Sequence, residues 1–244
     1  MTRDLTGDDP RWLTTFPHRV APRPGEWLPG LLLRCDAANG WVAGTTARFI
    51  STHRYGLRPG MAPALGVVAT DLDLSRLAMV LALSAADLNR MTFWPALARL
   101  YPLMAPRAHL LGPVPRFRVC PWCVANDALL PRWLALPLLR SCPRHEVLFQ
   151  DTCRCGVRLE PFHRRGNPFA CAQCGTPWSA LPAIYPTDTD RAVDVATTAL
   201  YALLLDGGTR TMVADALYLV RRSLDERGWQ AFPVRQMRGV RLPE

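Results

Sequence analysis

Lysine is absent from this 244-residue chain, so all 29 of its basic residues are arginine, set against 20 acidic ones for a formal charge of +9. The pattern fits a GC-rich coding bias, since Ala, Leu, Pro and Gly are abundant as well. The physical consequence holds either way: arginine presents a planar fork of donors that grips phosphate bidentately. Such a surplus is compatible with a nucleic-acid partner but does not demand one. Also missing is any uninterrupted apolar run of bilayer length, which excludes a membrane partner through a spanning helix. The first residues, Met1-Thr2-Arg3-Asp4, lead into Gly7-Asp8-Asp9-Pro10 and not into an apolar leader. The expectation is therefore a cytoplasmic protein with reduced thiols, in which clustered cysteines read as metal ligands before disulfides. There is no phosphate-cradling Gly-Lys loop, no cluster of acids for strand transfer, and no histidine followed two residues later by glutamate. The last absence removes the zinc-deaminase pattern.

What the chain has is a core-forming composition, 49% hydrophobic with a mean hydropathy of +0.02. Residues 1–25, rich in Pro, Arg and Asp, read as a loosely ordered arm. Trp27, Leu28, Leu31, Leu32 and Cys35 predict a helix over 26–39 that Gly40 can close. Thr45-Thr46 can cap a second short helix reaching about Tyr55. Residues 71–93 predict two helices with a tight turn. Pro95, Pro102, Pro106, Pro113 and Pro115 predict a linker or irregular wall. Beyond 182, Thr187-Asp188 can cap a helix carrying Val193, Ala196, Leu200, Leu203 and Leu204. Gly207-Gly208 then joins it to a second helix, from Met212 to Leu224, as an antiparallel hairpin. Arg235, Arg238 and Arg241 form a basic tail.

The fold class so predicted is mainly α with small β. It comprises an N-terminal helix–turn–helix domain over 26–112, a double zinc-finger region over 113–181 built of zinc-ribbon or zinc-knuckle modules, and a C-terminal helical hairpin over 182–244.

Residues 116–181 hold seven of the eight cysteines. Zinc takes four soft or borderline ligands at tetrahedral corners, and two residues three apart on one turn can both reach one ion. Cys120-x-x-Cys123 is such a turn, and Cys142-x-x-His145 is a second, with 18 residues between them. Cys153-x-Cys155 and Cys171-x-x-Cys174 follow, separated by 15. The expectation is two structural zinc ions, the first on Cys120, Cys123, Cys142 and His145, the second on Cys153, Cys155, Cys171 and Cys174. Both sites then count four protein ligands and leave no open position for catalysis. Gly156 and Gly175 each follow a ligand cysteine, where a knuckle can use left-handed backbone. Two zinc ions on seven thiolates would take the charge to about +6. His163 reads as a solvated loop histidine, and Cys35, alone on an apolar face, as core. A dithiol redox role for Cys120-Pro-Trp-Cys123 would need a preceding strand, which the Pro-rich stretch does not offer.

Leu77 to Met91 fits a helix–turn–helix pattern, with Leu77, Leu81, Leu83, Leu88 and Met91 in apolar slots. Ala82 stands where glycine is preferred at the turn. Ser84 with Asp87 makes a capping-box start, and the second helix would present Ala86, Asp87, Asn89 and Arg90 to a groove. The same spacing can also build an ordinary helical hairpin.

These blocks resemble the TniQ family of transposition target selectors. Pro24-Gly25-Glu26-Trp27-Leu28-Pro29-Gly30-Leu31 is similar to that family's opening helix, with Pro29 where serine is usual. Arg118-Val119-Cys120-Pro121-Trp122-Cys123, Arg132-Trp133, Ser141-Cys142-Pro143-Arg144-His145-Glu146-Val147-Leu148 and Cys153-Arg154-Cys155-Gly156 follow its zinc region, so that the resemblance spans about 22–178. It implies a non-catalytic adaptor that engages an AAA+ ATPase regulator, DNA or guide RNA and, in CRISPR-associated elements, the guide-RNA effector complex; a homodimer is compatible with it. The nucleic-acid contacts expected are Asn89, Arg90, Arg116, Arg118, Arg164 and Arg165. Trp122, Trp133 and Trp178 are either platform core or partner anchors. The rivals are a stand-alone helix–turn–helix transcription regulator and a zinc or redox enzyme.

Overall fold

The structure, a computed structural model, describes residues 15–52, 72–92, 116–136 and 139–205. The arm up to residue 14, the Pro-rich stretch, the Gly207-Gly208 turn, the second tail helix and the basic tail lie outside the described residues.

Helix α1 (Leu28–Ala38) is apolar on two sides, and the reason is visible in its neighbours. Leu28, Leu31, Leu32 and Cys35 belong to one buried cluster together with Phe16, Phe49, Ile50, Leu77, Val80 and Leu88. Trp27 and Leu33 belong to another, with Phe117, Val119, Leu130, Leu134, Leu139 and Trp178. A helix flanked on both sides must be hydrophobic on both sides, so α1 serves as the wedge between two cores. Pro29 falls in its first turn, where a missing N–H costs nothing. Cys35 is fully buried, as expected of a core residue, and burial pushes its thiol up to about 12.

The segment before α1 is tied down by a buried acid that periodicity does not flag. Glu26 bridges antiparallel to Pro131, its carboxylate takes Arg34 at 2.5 and 2.7 Å, and it also accepts from the Arg23 amide at 3.0 Å. Helix α2 (Thr45–Phe49) is shorter than expected and is not capped by its own threonines. The buried Asp36 of α1 does that work, accepting from Gly44 N, Thr46 N and Thr46 Oγ1 at 2.7, 2.7 and 2.6 Å. Burial pushes its carboxyl up to about 6, with those donors pulling the other way.

Helices α3 (Leu74–Leu81) and α4 (Ala85–Arg90) are joined by the tight turn at Ala82. Asp73 caps α3, and Ser84 with Asp87 forms a full capping box on α4. Leu77, Val80, Leu81, Leu88 and Met91 face the core, while Met79 lies exposed. Ala82 sits at φ +54, with Leu83 N bonded back to Ala78 O, which is the C′ position of a helix stop. A side chain is strained there and glycine is not. Ala82→Gly is expected to stabilise the protein by about 0.5–1 kcal/mol, read as a higher urea midpoint. A lower midpoint would contradict the assignment of strain to this turn.

The rest of the described chain carries helix α5 (Pro121–Asp127), two single 3-10 turns (Arg132–Ala135 and Trp178–Ala180) and helix α6 (Asp188–Leu205). The small β content is confined among the described residues to isolated bridges, four of them in the cysteine-rich region: Val119 with Gln150, Ser141 with Leu148, Thr152 with Arg158, Ala170 with Pro177. No described helix is long and apolar enough to cross a membrane.

Candidate metal centres

The two expected ligand sets converge. Cys120, Cys123, Cys142 and His145 form one group and Cys153, Cys155, Cys171 and Cys174 another, with the ligand atoms of each within 4.8 Å of one another.

In the first group Cys120 is the N-cap of α5, and Pro121, with its fixed φ, starts the helix that carries Cys123. The C-x-x-C pair is therefore the first turn of a helix and not a free knuckle. Cys142 and His145 lie on a hairpin closed by the Ser141–Leu148 bridge and the Cys142 N to Val147 O bond. Glu146 takes left-handed backbone at φ +52 directly after His145. The sulfurs of Cys120, Cys123 and Cys142 lie 3.4, 3.3 and 3.6 Å from His145 Nδ1, and Cys123 and Cys142 are 3.7 Å apart. A disulfide would bring sulfurs to about 2.05 Å. A tetrahedron with sulfurs about 2.3 Å from a central ion has S–S edges near 3.8 Å. These separations match the second geometry and not the first.

The three thiols of this group act strongly on one another. Cys142 is drawn down to about 2 by S–H donation from Cys120 and Cys123, whose own thiols are pushed up. Three sulfurs this close cannot all ionise unless a positive ion stands between them.

The second group has Cys153 to Cys174 at 3.6 Å and Cys155 to Cys171 at 3.7 Å. Gly156 and Gly175 take left-handed backbone at φ +82 and +71, where the knuckle spacing places them. Cys153 and Cys171 are buried, Cys155 and Cys174 exposed. The Thr176 hydroxyl, 3.1 Å from Cys174 sulfur, is the main reason that thiol falls to about 6. Each group thus offers the donor chemistry and spacing that zinc takes, and each could bind it.

The surroundings correct two expectations and decide a third. Arg118 is turned inward: its guanidinium donates to the carbonyls of Leu134 and Leu136 and stacks 4.8 Å over Phe149. It is occupied with structure, tying down two carbonyls at the end of the 3-10 turn at 132–135. His163 is half-buried and not solvated. Its Nε2 lies 3.0 Å from Ala170 O and its Nδ1 accepts from Arg165 N, while burial pushes its pKa down. Trp178 is fully buried and Trp133 packs against both the zinc-side cluster and the larger core, which makes both of them platform; Trp122 is 47% exposed.

The remaining expected contacts and the other arginines of this region divide. Arg116 pairs with Asp151 at 3.7 Å, Arg144 with Asp127 at 3.5 Å and Arg140 with Asp190 at 2.5 Å. Arg132 donates to Arg90 O at 2.5 Å, which ties the first group to α4. Arg90 itself is exposed and pairs with Asp87, one turn away on α4, and Asn89 is half-buried. Around the second group Arg154, Arg158 and Arg165 are exposed and make no ion pair among the described residues. Arg164 is exposed at φ +58 beside them.

The family model of TniQ matches residues 17–149, more than half of the chain. The chain belongs to the TniQ family. Its function is accordingly associated with transposition, and TniQ proteins form a non-catalytic accessory family that works with other transposition factors. The match takes in α1 to α5 and the whole first ligand group, and stops before Cys153, so the second group and α6 lie beyond it. Among curated proteins, none matches the chain.

Proposed function

We propose that this TniQ protein is a target-selection adaptor whose two ligand groups each hold a structural zinc ion. It bridges nucleic acid, or an RNA-guided effector complex, to an AAA+ transposition regulator. The observation that carries the reading is the contrast between the two groups of arginines. The five arginines around the first ligand group are taken up by carboxylates or backbone carbonyls. At the second, Arg154, Arg158 and Arg165 are exposed on one short knuckle and make no ion pair among the described residues. The phosphate-facing surface is therefore assigned to the second knuckle, and Arg116 and Arg118 leave it. Asn89 and Arg90 at the end of α4 remain a second, smaller contact.

Arg158→Ala with Arg165→Ala is expected to weaken binding to any sequence alike and to lower the slope of log K against log salt by about 1 to 2. Arginines that merely offset the negative charge of a zinc–tetrathiolate cluster would leave the slope unchanged, and that result would overturn the surface. Selection of bound sequences separates the rival: a sharp palindromic consensus would favour a transcription regulator using α3 and α4.

A further inference from the structure

Helix α6 lies outside the family match, yet it is bonded directly to the first ligand group. The hairpin that carries Cys142 and His145 runs from Arg140 to Gln150. Its first strand is held by Asp194 of α6, which accepts from Arg140 N at 2.6 Å and Ser141 N at 3.0 Å and also takes the Ser141 hydroxyl. Ser141 immediately precedes the ligand Cys142. Its second strand is held by Leu148 N donating to Ile184 O at 2.7 Å. Asp190, one turn before Asp194, takes the Arg140 guanidinium at 2.5 Å. Both aspartates are buried, and so are Val193 and Thr197 on the same face. Thr187 and Asp190 form the capping box that starts the helix, so one residue both opens α6 and clamps the hairpin.

We infer that α6 is a metal-responsive arm: its docking and zinc binding at Cys120, Cys123, Cys142 and His145 support each other, with Asp194 as the positioning residue. Two ligands of this site, Cys142 and His145, lie on the hairpin and must come into register with Cys120 and Cys123 of α5. Asp194 fixes that register at the residue before Cys142. A carboxylate accepting two adjacent backbone amides has no substitute in solvent once the strand is buried. Coupling between two equilibria is reciprocal. By whatever factor the docked helix tightens the first zinc, that zinc tightens the docking. The second zinc group touches no atom of this clamp among the contacts above and sets the internal control.

The inference rests on zinc occupancy, so the zinc content of the full chain is counted first. In Asp194→Asn the second amide N–H faces a side-chain donor. Competition with a chromophoric chelator is expected to show one zinc released about 10-fold faster than in the parent, with the other unchanged. Hydrogen exchange on Cys142→Ser should show residues 184–197 losing at least 10-fold in protection. Cys174→Ser should leave them protected, which also guards against simple global unfolding. A content below two zinc ions overturns the zinc reading and this arm together. Two ions with both released at parental rates in Asp194→Asn, or α6 still protected in Cys142→Ser, overturns the arm alone.

Discussion

Cys123→Ala is expected to reduce the bound zinc from two ions to one and to cost on the order of 5 kcal/mol or more, enough to unfold the first knuckle at ordinary temperature. The size follows from what the site replaces. Structural zinc contributes roughly 10–16 kcal/mol in small metal domains, against a net stability of about 5–15 kcal/mol for a whole domain. Here the ligands bracket core residues. Val119 and Val124 flank the first pair, and Leu130, Leu134 and Leu139 lie between the two pairs, all in the cluster that receives Trp27 and Leu33 from α1. Trp133 and Phe149 pack against both that cluster and the buried sulfurs. Losing the ion therefore loosens one whole face of the wedge helix. Cys35→Ala is the control, a buried cysteine that belongs to neither ligand group. It should keep both zinc ions and cost about 1–2 kcal/mol, the loss of a small buried group. Native mass spectrometry gives the counts and thermal unfolding the costs. Equal costs for the two substitutions, or two ions retained in Cys123→Ala, would refute the staple role of the first site.

The sequence patterns that carried the reading were all short-range. Ligand spacing, the Ser84–Asp87 box, the Thr187 cap and the glycines after Cys155 and Cys174 depend on neighbours within a few residues, and a linear pattern contains that information. The interactions that lock the fold do not. Asp36 reaches α2 across ten residues to cap it, and α2 ends at Phe49, just before Ser51 bridges antiparallel to Leu72. Glu26 is buried because Arg34 and a bridge to Pro131 meet it there. Asp194 is buried because a strand more than fifty residues away presents two amides to it. Each of these acids has the composition of a solvated residue, and only the partner makes burial tolerable. The same blindness explains Arg118. Its neighbours in sequence place it in a basic run, whereas the carbonyls it satisfies belong to a turn whose geometry no spacing rule reveals. Arg154, Arg158 and Arg165 of the second knuckle are the complement: they are exposed, and among the described residues they make no ion pair.

Gly44→Ala should be the most damaging substitution of a residue that is neither ligand nor large. Gly44 sits at φ +89, a backbone that costs an alanine about 1–2 kcal/mol. A Cβ there would also stand 2.9 Å from Phe162 Cβ, 3.1 Å from its Cα and 3.2 Å from its carbonyl oxygen. One side or the other would have to move, and both are pinned. Asp36 holds the Gly44 and Thr46 amides from below. On the opposite side Arg164 N bonds Ala43 O at 3.0 Å, and the Phe162 ring packs against both hydrophobic clusters. Overpacking of this kind costs about 1–3 kcal/mol, so the sum is about 2–5 kcal/mol. Gly40→Ala isolates the backbone share, because Gly40 has φ +65 with open space where a Cβ would go; about 1 kcal/mol is expected there. The excess at Gly44 measures the docking of the second knuckle on the loop between α1 and α2. Hydrogen exchange should show the Arg164 amide losing protection while zinc content stays at two. If both alanines cost the same in thermal unfolding, the knuckle is not seated on α1's loop, and the proposed phosphate-facing surface lacks the rigid base assigned to it.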